Sequence, residues 1–228
     1  MSVMWIDPMK FVAAGGPCVT TYVGTTNDTG DKSTFTFSAV SFGSSTNANR
    51  VVVIGYAGRD TGTARTLSSA TIDGSAATIG LQATMNSQVA HVGFFARVQG
   101  TDSSGDVVLT FSGNVNRGLC IFVWSVEGMT SVTPTDTDAS DTTDPFTSSL
   151  DVSAGGVAFA VSHEGSGVGA GGSSISGTGF TEDADGVSSA NGSGNAGHGD
   201  YAAAQTGLVI TADLPGSSNS GACFIAYR

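Results

Sequence analysis

Apolar and polar residues alternate with period two through most of this chain, in short runs broken by clusters of Gly, Asn, Asp and Ser. Successive side chains of a strand point to opposite faces, so this rhythm builds β-strands, and no stretch keeps the spacing of an amphipathic helix. Thr34-Phe-Thr-Phe-Ser38 puts Phe35 and Phe37 on one face. Val40 and Phe42 then continue on the opposite parity, which predicts a β-bulge between the two pairs. Arg50-Val-Val-Val-Ile-Gly-Tyr56 is a continuous apolar run, as expected of a strand covered on both faces. Further strands are expected over 76–83, 88–98, 106–112, 118–126, 146–152, 156–163, 201–205, 208–214 and 221–228. Ten to thirteen short strands between turn clusters read as a β-sandwich or barrel. Its expected core is Phe35, Phe37, Val92, Phe94, Leu109, Phe111, Phe122, Trp124, Phe159, Ile210 and Phe224.

Composition supports the same class. Charged residues are only 12% of the chain and glycine contributes 33 of 228 residues. Gly, Ser and Thr are poor helix formers, whereas Thr and Val suit a pleated surface. A net charge of -11, with Lys10 and Lys32 as the only lysines, argues against nucleic acid and anionic membranes as partners. No apolar run approaches the ~20 residues of a membrane helix, and the first residues lack the pattern of a secretory signal. Cys18, Cys120 and Cys223 cannot form a closed disulfide set; Cys120 and Cys223 lie in apolar runs and read as buried free thiols.

Gly118-Leu-Cys-Ile-Phe-Val-Trp124 is echoed by Gly221-Ala-Cys-Phe-Ile-Ala-Tyr227. Val51–Tyr56 is answered by Val157–Ser162, Val92–Val98 by Tyr201–Gln205, and Val107–Ser112 by Leu208–Leu214, in the same order. This fits one sandwich, residues 18–228, built from two interleaved sets of strands. The Gly-rich stretches 165–179 and 186–199 read as long connections. Residues 1–17 read as an N-terminal arm carrying Trp5, Ile6 and Phe11, the aromatic and aliphatic types that anchor interfaces. Leu119–Val126 and Ala222–Tyr227 are apolar on both faces, more than a two-layer sandwich can cover. Long loops, the arm or another subunit are the expected cover.

Motifs that would carry chemistry are sparse. Gly167-x-Gly169-x-x-Gly172 has the dinucleotide spacing but is not followed by a helix, and no P-loop exists. Asp136-Thr-Asp138-Ala-Ser-Asp141 is the densest run of carboxylates. It reads as a hydrated acidic loop without a metal, with Asp136, Asp138 and Asp141 the candidate ligands should Ca2+ bind. Glu182-Asp-Ala-Asp185 has the same two readings. Glu127, Glu164 and Glu182 do not form the carboxylate pair of a glycoside hydrolase. His91, His163 and His198 have no serine elbow to serve, and His163-Glu164 are strand neighbours pointing to opposite faces. No catalytic residue and no cofactor are expected.

Thr34–Gly43, Asn49–Gly55, Ser69–Thr78, Gly105–Gly113 and Leu150–Ala160 together resemble uncharacterised β-rich structural proteins of tailed bacteriophages and prophages, over about 19–228. The resemblance implies a non-enzymatic virion surface protein with a jelly-roll-like β-sandwich of about ten to thirteen antiparallel strands. It would be made in the host cytoplasm and located in the virion. Capsid decoration or cement is favoured, with a tail-fibre or receptor-binding unit as the alternative. Its partners would be major capsid or tail proteins and further copies of itself. A carbohydrate-binding module, binding a host-surface glycan through Tyr56, Phe95 and Tyr201, is another alternative, and a hydrolase a more distant one.

Overall fold

In the computed structural model the described residues are 16–85, 90–140, 144–164, 173–189, 192–214 and 220–228. Among them lie nineteen strands and no helix, all paired strands running antiparallel, so the expected β-sandwich class holds with more strands than expected. The first half comprises β1 (Val19–Asp28), β2 (Lys32–Ser41), β3 (Val51–Arg59), β4 (Leu67–Ile72), β5 (Ser75–Ala76), β6 (Thr78–Met85), β7 (Ala90–Val98), β8 (Ser104–Val115) and β9 (Leu119–Glu127). The second comprises β10 (Asp136–Ser140), β11 (Phe146–Thr147), β12 (Leu150–Val152), β13 (Gly156–Glu164), β14 (Ser174–Gly177), β15 (Thr181–Ser189), β16 (Gly192–Tyr201), β17 (Gln205–Leu208), β18 (Ile210–Asp213) and β19 (Gly221–Tyr227).

The first half folds into the sheets β1-β9-β3-β7-β6 and β2-β8-β4-β5. Apart from the hairpins β4–β5 and β6–β7, consecutive strands thus alternate between the two sheets in jelly-roll order. β5 and β6 form one run that crosses between the sheets at Ala77, whose N–H still donates to Ala70 O at 2.9 Å. The second half repeats the order: β10-β19-β13-β16-β15 faces a broken sheet of β11-β18-β14 and β12-β17. Strands of the two halves do not interleave in any of these sheets, so the echo reflects two successive jelly-roll units. Register makes the equivalence explicit: Trp124 pairs with Val53 and Tyr227 with Val157. The counterpart of β7 in the second half is β16, not the expected 201–205.

Four layers result, with three cores between them. Phe35, Phe37, Leu109 and Phe111 pack with Ile54, Tyr56 and Phe95 in the first outer core. Ile210 and Phe224 belong to the second outer core, with Phe146, Leu150 and Tyr201. Val92, Phe94, Phe122, Trp124 and Phe159 lie in the central core, where the two five-stranded sheets meet. All eleven expected core residues are buried. The apolar excess on β9 and β19 is covered by the sheet of the opposite half rather than by loops, an arm or a second subunit. Along β3, Val51, Val53 and Ala57 face the central core while Val52, Ile54 and Tyr56 face the outer one.

Local chemistry accounts for the details. The bulge falls between Phe37 and Val40, where Ala39 takes φ 53 and its N–H is held by Asp106 Oδ1 at 2.9 Å. Arg50, fully buried at the head of β3, donates to Phe42 O at 2.7 Å, Gly43 O at 3.0 Å and Asp102 O. The stretch 186–199, expected as a connection, contains most of β16. Its small residues are needed because a Cβ on Gly194 would stand 2.8 Å from Cys120 Sγ and 3.1 Å from Ala57 Cβ. Gly55 is the matching contact from β3, where a Cβ would lie 2.5 Å from Val161 Cγ1. Overpacking that point should be costly: Gly55→Val is expected to lose about 3 kcal/mol or more in urea unfolding. A loss under ~0.5 kcal/mol would mean that the central sheets have room to separate.

Candidate functional site

The polar end of each central strand carries the titratable groups. His163 continues the row Val157, Phe159 and Val161 towards the central core, whereas Glu164 continues the row Ala158, Ala160 and Ser162 on the other face. The two do not form a dyad. Burial holds the His163 imidazole down at about 3, helped by Arg59 and His91. His91 lies on the outer face of β7, its ring 6.4 Å from Phe111 and its Nδ1 3.3 Å from Thr84 Oγ1. Burial lowers it to about 4. Glu164 is only 2% exposed, and burial raises its carboxyl. Its counterpart Asp60 instead has Arg65 Nε at 3.1 Å from Oδ2.

A polar link absent from the sequence reading joins the halves. Asp183 Oδ2 accepts a hydrogen bond from Trp124 Nε1 at 2.7 Å and lies 2.7 Å from His198 Nδ1. Asp183 falls at a register shift of β15, which turns it towards β9 of the other half. In the equivalent place Tyr227 OH meets Gly80, where a Cβ would stand 2.6 Å away. Only the bulge makes Asp183 an interior residue, so the acidic run 182–185 gave no signal of it.

Asp136 and Asp138 lie on strand β10 rather than in a loop. Asp136 Oδ1 and Oδ2 accept the N–H groups of Thr137 and Asp151 at 2.8 and 2.7 Å. Asp138 Oδ1 and Oδ2 accept those of Ala139 and Ser149, both at 2.8 Å. These carboxylates stitch β10 to the β12 segment. Asp141 lies outside the described residues, and among those described no group of three or more His, Cys, Asp or Glu is close enough to hold a metal. Cys18, Cys120 and Cys223 are buried free thiols. Tyr56, Phe95 and Tyr201 are buried too, so they offer no aromatic platform to a glycan.

The opposite end gathers the two ends of the described chain. Arg228 Nη1 donates to Gly16 O at 3.2 Å and Gly128 O at 3.3 Å. The main-chain oxygen of Arg228 accepts from Thr130 N, Ser131 N and Thr130 Oγ1 at 3.0, 3.1 and 2.6 Å. Cys18 N donates to Gly155 O at 2.8 Å. Beside this knot a groove of about 630 Å³ opens between the strand ends and the 128–132 segment. Val51, Val98, Met129 and Val132 give it an aliphatic lining, and Asn47, Asn49, Thr130 and Ser131 a neutral polar one. Val98 is 49% exposed, one of three exposed large hydrophobics among the described residues with Val19 and Val209. A second groove, of about 440 Å³, is lined by Val19 and Val23 with Thr21, Tyr22, Ser44, Ser125 and the charged Glu127. The expected arm anchors Trp5, Ile6 and Phe11 lie outside the described residues. No protein-family model and no curated protein sequence matches the chain.

Two solution measurements probe these groups. Because the oxygens of Asp136 and Asp138 are engaged with backbone amides, adding EDTA should leave the melting temperature unchanged; a drop of several degrees would reveal a structural cation. For the histidines, the native pKa lies below the unfolded 6.5, so the unfolded chain takes up protons first. Their stability contribution is full above pH 6.5 and falls as pH drops towards about 4 for His91 and about 3 for His163. Each should lose roughly 2 kcal/mol by pH 5. Glu164 acts in the opposite sense, since its native form takes the proton first. Urea midpoints at pH 8 and pH 5 should reveal the loss. His91→Asn, which copies the equivalent Asn195, should remove about half of it; an unchanged pH dependence would contradict the burial of His91.

Proposed function

We propose that this chain is a non-enzymatic surface protein of a tailed-bacteriophage particle, with head decoration or cement ahead of a tail-fibre role. The observation that carries the reading is the tandem of two jelly rolls stacked through their larger sheets, a sandwich type used by viral capsid and lectin domains. The stack consumes its aromatic side chains internally, and the described outer faces leave only isolated exposed valines. Attachment is therefore assigned to the end where the described chain begins, next to the arm that holds Trp5, Ile6 and Phe11. Major capsid or tail proteins are the partners this reading names. A glycan-binding role is supported less well, because Tyr56, Phe95 and Tyr201 are internal.

Co-sedimentation with purified phage particles tests the proposal. The full chain should sediment with particles at a saturating, regular stoichiometry, and deletion of Met1–Val12 should abolish sedimentation. Failure of the full chain to bind, or glycan-array binding without particle binding, would overturn it.

A further inference from the structure

The groove beside Val98 lies where the described chain begins. Gly128, on its lining, is packed so tightly against the entering segment that a Cβ there would stand 2.5 Å from Pro17 O and 2.9 Å from Gly16 O. Arg228 fixes Gly16 in that position. The described chain therefore begins at the rim of the groove. Phe11 is five residues from Gly16, within about 17 Å of extended chain, so it can reach the opening directly. Pro17 and Pro8 favour extended backbone at the residues before them, which suits a segment laid along a groove.

The chemistry of the two sides matches. Met1, Met4, Trp5, Ile6, Met9 and Phe11 make the segment apolar, with Asp7 and Lys10 its only charged side chains. The groove presents Val51, Val98, Met129 and Val132 with no charged residue in its lining. The second groove has Val19 and Val23 in its lining but also carries the Glu127 carboxylate, a charge that the first groove lacks. We propose that the groove is the intramolecular seat of Met1–Phe11, with Trp5, Ile6 and Phe11 as its anchors. Resting on the attachment role proposed above, the seat holds the arm until a particle surface competes for the same side chains.

Trp5 and Trp124 are the only tryptophans, so the spectrum of the full chain minus that of Trp5→Phe isolates Trp5. A neutral quencher, acrylamide, avoids the repulsion that a net charge of -11 would impose on iodide. Trp5 should emit at short wavelength and be quenched several-fold less than in Val98→Glu, which puts a charge in the groove at an exposed position. The signal of Trp124 and the circular dichroism should be the same in both, and Val98→Glu should bind particles at least as well as the parent. Equal quenching of Trp5 in the parent and in Val98→Glu would overturn the seat. Protection of Trp5 that vanishes on dilution would also overturn it, in favour of an arm from a second copy. Particle binding that survives deletion of Met1–Val12 would instead defeat the attachment role while leaving the Trp5 result intact.

Discussion

The contact between the two five-stranded sheets organises the rest of the molecule. Trp124 and Phe159 pack in a tilted arrangement with ring centroids 5.0 Å apart, and Phe94, Phe122 and Tyr227 close around them. Burial of this area from both sides supplies the non-directional part of the stabilisation, and the aromatic pairs add about 0.5–1.5 kcal/mol each. Once the larger sheets are committed to one another, each needs a second cover on its outer face. The smaller sheets provide it. Strands such as β3, β9, β13 and β19 therefore carry apolar residues at consecutive positions, which an isolated sandwich could not tolerate.

A central core of this kind leaves little latitude for polar groups, and two of the buried ones have a defined use. Arg50 ties the loops around 42–43 and 102 to the head of β3 through three carbonyls. Asp183 accepts the Trp124 N–H that burial would otherwise leave without its water partner. The two halves diverge here: the same interior position is filled by a carboxylate on β15 and by Gly80 on β6, beneath Trp124 and Tyr227 respectively. The two jelly rolls share an architecture and differ in chemistry at equivalent points, as do His91 and Asn195, and Asp60 and Glu164.

The described interior is committed to packing and to backbone hydrogen bonds. The residues that sequence reasoning would offer to a ligand are mostly spent on structure: Asp136 and Asp138 on backbone amides, Tyr56, Phe95 and Tyr201 on the cores, His163 and Glu164 on opposite faces of one strand. Val98 is the exposed apolar side chain in the groove beside residues 128–132, at the end where the described chain enters.

Strand class, the bulge after Phe37 and the eleven core residues were legible in the sequence because each depends on alternation, a property of neighbours along the chain. The repeat of Gly118–Trp124 in Gly221–Tyr227 was legible for the same reason. The partition of those residues into three cores was not, since alternation names a face without naming what lies against it. β16 was hidden because its glycines, needed where Gly194 meets Cys120 and Ala57, look like those of a loop. β10 was hidden because its aspartates bond to the amides of 149 and 151, contacts that exist only after the halves have folded. The sequence by itself determined that the chain is β, where its strands bend and which side chains leave water. Only the tertiary structure decided that two like sheets would bury each other, because that pairing is set by shape and close approach between residues about a hundred positions apart.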